Sequence, residues 1–232
     1  MHFLVLGATG RTGLFAYKYA LNEGHHVTAL VRDTSALESH AHLTLVKGSV
    51  LSEEDMKRAF TAAGTPIDAV LVFLNCPRTS ENPWAKFIGP PRLIADGTAN
   101  ATRALRRQQQ QDPRTPKPLV AVLSAFGTGE SRQVTPLIMR LLIDYSNVKC
   151  SYDDHNATNA EIEDGCGNEI DWTVVMPPAL GDAGIKPVKT FAVTQKGAGW
   201  SITRESVAKW MVDMASGKFG DQFKNKRVII SN

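Results

Sequence analysis

The strongest constraint on this chain's fold lies at its start. The apolar run Phe3–Leu6 leads straight into Gly7-Ala-Thr-Gly10-Arg-Thr-Gly13, and a helical pattern from Leu14 to Asn22 follows, stopped near Gly24. Three glycines at that spacing let the backbone turn sharply between a strand and a helix. They also leave no Cβ between the main chain and an approaching ligand. The helix start turns unpaired N–H groups and a positive dipole end toward the turn. Strand, glycine turn and helix in that order form a seat for a pyrophosphate.

Strand-like and helical patterns go on alternating after this unit. The runs Val27–Val31, Leu43–Val46, Ile67–Phe73, Leu119–Leu123 and Trp172–Met176 are short, β-rich and almost continuously apolar. Such runs suit strands covered on both faces, joined in parallel by crossover helices. After Thr203, residues Val207, Trp210, Met211 and Met214 recur at helical spacing and form one core-facing stripe. The expected fold is α/β: a Rossmann-type, doubly wound, mostly parallel sheet with helices on both faces. One domain over residues 1–232, with a small substrate-side portion from about residue 177 to the end, fits a chain that is 43% apolar and large enough for its own core.

Several function classes fall away. No apolar stretch approaches the ~18 residues of a membrane span. The first apolar run meets a glycine turn instead of a cleavage site, so it is no signal peptide. Twenty-six Lys+Arg against 23 Asp+Glu leave a net charge of +3, too mild for a nucleic-acid surface. Cys76, Cys150 and Cys166 form no CxxC pair and read as reduced thiols, and the six histidines lack metal-ligand spacing. A cytoplasmic protein is expected, a monomer or weak homodimer, acting on a small molecule with no metal, nucleic acid or membrane.

Two segments stand apart. Arg103–Lys117 reads as a frayed helix end running into an exposed connection. Arg78–Arg92 follows the fourth strand, where ligand loops sit in open α/β sheets, and its large aromatic, Trp84, is a candidate to stack on a planar substrate.

The second strand ends in Leu30-Val31-Arg32-Asp33. A guanidinium here suits a 2′-phosphate through its bidentate fork, and Arg11 in the glycine turn offers a second cation. NADP(H) is therefore expected over NAD(H). Asp33 weighs against this, because a shift of one residue would put an acid at the ribose.

Further motifs carry a resemblance. They are GATGRTGL at the start, VTALVRD around Arg32, LSAFG around Ser124, YDDH at Tyr152–His155, VVMPPALGD around Pro177-Pro178, and ITRESVAKWMV near the end. Together the chain resembles the NmrA-like atypical short-chain dehydrogenase/reductases, and within them the biliverdin reductase B (flavin reductase) type. The resemblance implies that Gly7, Thr9, Gly10, Arg11, Thr12 and Gly13 hold the pyrophosphate and Arg32 the 2′-phosphate. By the same resemblance Val50 flanks the adenine, while Phe73, Leu74 and Asn75 line the nicotinamide-side ribose. Ser124 stands beside nicotinamide and substrate, and Met176, Pro177 and Pro178 present backbone to the carboxamide. His155 is the active-site histidine, placed to donate a proton with an ordinary pKa of ~6.5.

Three departures from the family pattern stand out. Ser49 replaces an aspartate before Val50, Asn159–Ala160 occupy the place of a lysine, and Ala179 that of a histidine. A rival pair, Tyr145-x-x-x-Lys149, fits the YxxxK of ordinary short-chain dehydrogenases. The function implied is an NADPH-dependent reductase of a planar conjugated molecule: a flavin, tetrapyrrole, quinone or specialised-metabolite ketone or enone. The alternatives are a non-catalytic NADP(H)-binding redox-sensing regulator, or a redox-neutral cyclase or isomerase on the same scaffold.

Overall fold

The computed structural model describes residues 1–80 and 82–232. Strands β1 (His2–Leu6), β2 (His26–Val31), β3 (Leu43–Lys47), β4 (Ala69–Val72), β5 (Leu119–Leu123), β6 (Asp171–Met176) and β10 (Lys226–Ser231) run parallel in one sheet. With β8 (Lys189–Ala192) added antiparallel, the order is β3-β2-β1-β4-β5-β6-β10-β8. The order reverses between β1 and β4, and this is the crevice where doubly wound sheets bind dinucleotides. Each expected strand is present, the fourth trimmed to four residues.

The two faces are covered by different helices, and the strand pleat divides the core between them. Phe3 and Val5 point toward α1 (Gly13–Asn22) and α6 (Arg204–Ala215), where Tyr17, Val207 and Met211 are buried. Leu4 and Leu6 point toward α2 (Glu53–Thr61), α3 (Leu93–Gln111) and α5 (Lys149–Cys166), where Met56, Leu105 and Ile162 are buried. A short helix α4 (Leu137–Asp144) lies outside these layers, with its apolar residues largely exposed.

One sequence expectation is corrected. The stretch around Gln108 is not frayed: α3 continues to Gln111, and the Gln108 amide bonds both the N–H (2.9 Å) and the carbonyl (2.8 Å) of Ile67. The chain beyond residue 177 divides between two places. Only β7 (Ala179–Gly181) and β9 (Ser201–Thr203), paired as a separate ribbon, extend beyond the sheet near its carboxyl edge, whereas α6 and β10 belong to the body of the fold.

Candidate cofactor and substrate cleft

The glycine turn is closed so tightly that two of its positions admit no side chain. Gly7 has φ +84°, and a Cβ there would lie 2.6 Å from the Phe73 carbonyl oxygen. At Gly13 a Cβ would lie 2.1 Å from the carbonyl oxygen of Gly7. The turn is held by Gly10 N–H to Gly7 O and Leu14 N–H to Gly10 O, both 2.9 Å. Its tip at Thr9, Gly10 and Arg11 is exposed, while Thr12 is buried at the N-cap of α1. An exposed backbone tip with no Cβ at Gly10, above a helix N-terminus, fits a pyrophosphate.

Arg32, the first residue beyond β2, is exposed beside this turn's strand. Its neighbour Asp33 is otherwise engaged. The Asp33 carboxylate accepts from Ser35 N–H (2.9 Å) and Ser35 Oγ (2.8 Å), capping a single 3-10 turn, and these bonds hold its pKa below the ordinary value. Val50 is half-buried beyond β3, its carbonyl accepting from Asn100 Nδ2 at 3.0 Å. At Ser49 the departing residue's amide donates to Asp55 of α2 at 2.8 Å.

A cleft of about 470 Å³ runs from Gly10, Arg11 and Thr12 past Phe73, Leu74 and Asn75 to Ser124, His155, Pro177 and Pro178. Its outer wall is apolar, built by Met139, Leu142 and Ile143 of α4 with Val148 and Leu180. Ser124 sits just past β5, its N–H bonded to Val175 O at 2.7 Å. Its hydroxyl lies 3.4 Å from Thr128 Oγ1, which accepts from Asn159 Nδ2 at 2.9 Å. Tyr152 also lines the cleft; its hydroxyl donates to Phe126 O at 3.0 Å, and burial pushes its pKa up to about 12. That phenol stays protonated at neutral pH.

The expected site residues divide. The cleft includes Gly10, Arg11, Thr12, Phe73, Leu74, Asn75, Ser124, His155, Pro177 and Pro178. Met176 is wholly buried, and the carbonyl of Pro177 accepts from Phe126 N–H at 2.8 Å. His155 is buried with Nδ1 unpartnered among the described residues, and burial pushes its pKa down to about 4. The imidazole is thus neutral at pH 7, which removes the ordinary titration on which the expected acid role relied.

Neither member of the rival pair lines the cleft. Tyr145 is 77% exposed at the end of α4, and Lys149 bonds both carboxylate oxygens of Asp153 at 2.7 Å. Trp84 is 63% exposed and lies outside the cleft lining, its Nε1 donating to Tyr145 O at 3.2 Å. From the same loop it is Arg78 that reaches the cleft. Arg204, Tyr152 and the α4 residues also line it without having been singled out from the sequence. Tyr152 and Arg204 lay inside quoted motifs; α4 carried no motif.

Comparison with known proteins bears on this geometry. A family model described as NAD(P)H-binding matches residues 7–218, from the glycine turn to just past α6. The chain belongs to this NAD(P)H-binding family. A curated relative, the Arabidopsis thaliana protein named "Probable pinoresinol-lariciresinol reductase 3", is 33% identical over 72 residues, which are 29% of this chain. The match spans about a quarter, 24%, of that relative's length.

Among solved structures, a Veillonella parvula short-chain dehydrogenase/reductase in complex with NADP aligns with TM-score 0.73 at 15% identity, covering 100% of this chain and 94% of the other. ChuY, an anaerobilin reductase from Escherichia coli O157:H7, aligns with TM-score 0.70 at 14% identity, covering 100% and 97%. At these identities the likeness is one of fold. No helix among the described residues is long and apolar enough to cross a membrane.

Proposed function

We propose that this member of the NAD(P)H-binding family is an NADPH-dependent reductase of a planar, conjugated small molecule. The observation that carries the reading is the single cleft joining the exposed glycine-turn tip to Ser124 and the apolar wall of α4. Gly10, Arg11 and Thr12 would hold the cofactor's phosphates, leaving Ser124 and the α4 wall to flank its hydride-donating ring. The named relatives, one an anaerobilin reductase and one a pinoresinol-lariciresinol reductase, accord with conjugated or aromatic substrates.

NADPH over NADH follows from Arg32. Its neighbouring carboxylate, Asp33, is occupied by Ser35, so the guanidinium is the group beside the ribose. Gly7, Thr9, Gly10, Arg11, Thr12 and Gly13 would hold the pyrophosphate and Val50 the adenine, with Pro177 and Pro178 as the wall by the carboxamide and Met176 buried behind them.

When bound, the cofactor supplies a hydride. The chain's own part is placement and dryness. Met139, Leu142 and Ile143 exclude water from one side, and Ser124 offers a hydroxyl steadied by Thr128 and Asn159. His155, held neutral by burial, has no imidazolium proton to give at neutral pH. The proton therefore comes from solvent, which suffices for a delocalised anion.

NADPH oxidation by the full chain with flavins, quinones and enones tests this. Sustained turnover with at least one class is expected; tight NADPH binding without turnover on any of them contradicts it. A second reading, an NADP(H)-binding regulator without chemistry, draws support from the neutral His155 and the placement of Tyr145 and Lys149 outside the cleft. The same assay separates the two.

A further inference from the structure

We propose that Arg204 is an anion anchor at the substrate end of the cleft, so that the substrate carries an acidic group, a carboxylate or phosphate, on its conjugated body. This rests on the reductase reading for which cleft takes the substrate, and it adds what that substrate must carry.

Arg204 opens α6 directly after β9, whose Thr203 pairs with Gly181 of β7. The ribbon continues from β6 through the double proline. This places Arg204 beyond β6, in the cleft lining with Ala179 and Leu180, whereas Arg32, just past β2, is not part of that lining. Its side chain is only 8% exposed yet lines the cleft. A guanidinium buried to that degree is costly unless an anion answers it.

The answering anion is weak. Arg204 Nη1 lies 2.7 Å from Asp182 Oδ1, but the Asp182 side chain is 60% exposed, so water competes for that carboxylate. Asp182 itself is not part of the cleft lining, which contains no aspartate or glutamate among the described residues. A second guanidinium, Arg78, lines the same cleft, half-buried and bonded to Asn82 O at 3.0 Å. With Arg11 of the glycine turn, three guanidiniums line this cleft, and among Leu142, Pro178 and Leu180 they create a positive potential in a poorly polarisable pocket. An acidic group arriving there takes the planar fork of Arg204 and frees Asp182 to water. A neutral ligand gains nothing from the exchange.

FMN and riboflavin form a suitable pair of probes, sharing the conjugated ring and differing by a terminal phosphate. Each is titrated into the full chain saturated with NADP⁺, so the readout needs no turnover. Wild type is expected to bind FMN about tenfold or more tighter than riboflavin, as a charge-assisted contact allows. Arg204→Gln abolishes that preference while riboflavin and NADPH affinities hold within about twofold. Asp182→Asn, which leaves Arg204 in place and serves if the first variant fails to fold, tightens FMN by removing its competitor. Loss of NADPH oxidation with this binding pattern intact sinks the reductase reading and leaves the anchor standing. Equal affinities in wild type, no binding of either flavin, or an Arg204→Gln variant that loses NADPH overturns the proposal, the last assigning Arg204 to the cofactor pyrophosphate.

Discussion

Asp154 Oδ2 accepts the backbone N–H of Ile94 at 2.8 Å, and its Oδ1 accepts that of Ala95 at 2.9 Å. A buried carboxylate on α5 therefore caps the N-terminus of α3, whose own N-cap, Arg92, supplies no side-chain bond. Cys76 Sγ adds a third donor at 3.2 Å, and burial with that carboxylate beside it pushes the thiol pKa up to about 12. The two acids of the YDDH motif thus have separate uses. Asp153 pairs with Lys149, and Asp154 ties α5 to α3 directly before the residue that lines the cleft.

Removing this cap is costly. Asp154→Ala strands two amide donors at a buried helix start and is expected to lower stability by about 2–4 kcal/mol. Asp154→Asn, which keeps one acceptor, loses about half of that. Urea unfolding checks both; a loss under about 0.5 kcal/mol for the alanine variant would mean that water satisfies the amides instead.

Arg32→Ala separates the two nicotinamide cofactors. A charge-assisted bond from this guanidinium to the 2′-phosphate contributes ~1.5–3 kcal/mol, so without it NADPH binding weakens by tens-fold while NADH binding is nearly untouched. Calorimetric titration with each cofactor is the measurement. Equal losses for both would move the 2′-phosphate site away from Arg32.

His155 predicts an acid-labile fold. Its pKa is about 4 when folded, against ~6.5 in the unfolded chain. Between those values the unfolded chain binds a proton that the folded one does not, so stability falls as pH drops from 6.5 toward 4 and is level above 6.5. The share due to this residue is on the order of 3 kcal/mol across that window. His155→Leu is expected to flatten the pH dependence of unfolding free energy by that amount relative to wild type. Parallel profiles would show an imidazole titrating normally and restore it as a proton donor.

Trp84 acts through the loop it belongs to. With its Nε1 bonded to Tyr145 O and its carbonyl accepting from Asn147 Nδ2 at 2.8 Å, it fastens the loop bearing Arg78 to the junction of α4 and α5. Trp84→Ala is expected to raise KM a few-fold with NADPH affinity unchanged, and to cost under about 1 kcal/mol because these bonds are exposed. A collapse of kcat at constant KM would instead put the ring against the reacting atoms.

The sheet was legible because strands buried on both faces write continuous apolar runs, as Leu119–Leu123 does. β10 was not read, since its apolar residues follow Lys226 and Arg227 and make too short a run. β7 and β9, three residues each, exist only through their pairing. Helix α5 shows no apolar period because much of its buried face is polar: Asp154, His155, Thr158 and Asn159 point inward, and Asp154 and Asn159 find partners in other elements. The glycine turn was readable from residue type alone, as the Cβ clashes at Gly7 and Gly13 explain. The substrate end was not, because α4, Arg78 and Arg204 meet only through tertiary folding.

Transfer of a labelled hydride tests the central claim most directly. NADPH deuterated at the transferring carbon, incubated with the full chain and an acceptor reduced at carbon (an enone or a 5-deazaflavin, since hydrogen on a flavin N5 or a hydroquinone oxygen exchanges with water), is expected to place one deuterium in the product, from one face of the nicotinamide only. NADPH that binds the wild-type chain and is weakened by Arg32→Ala, yet delivers no deuterium to any acceptor reduced at carbon and reduces no flavin or quinone, would contradict the claim and leave a cofactor-binding regulator.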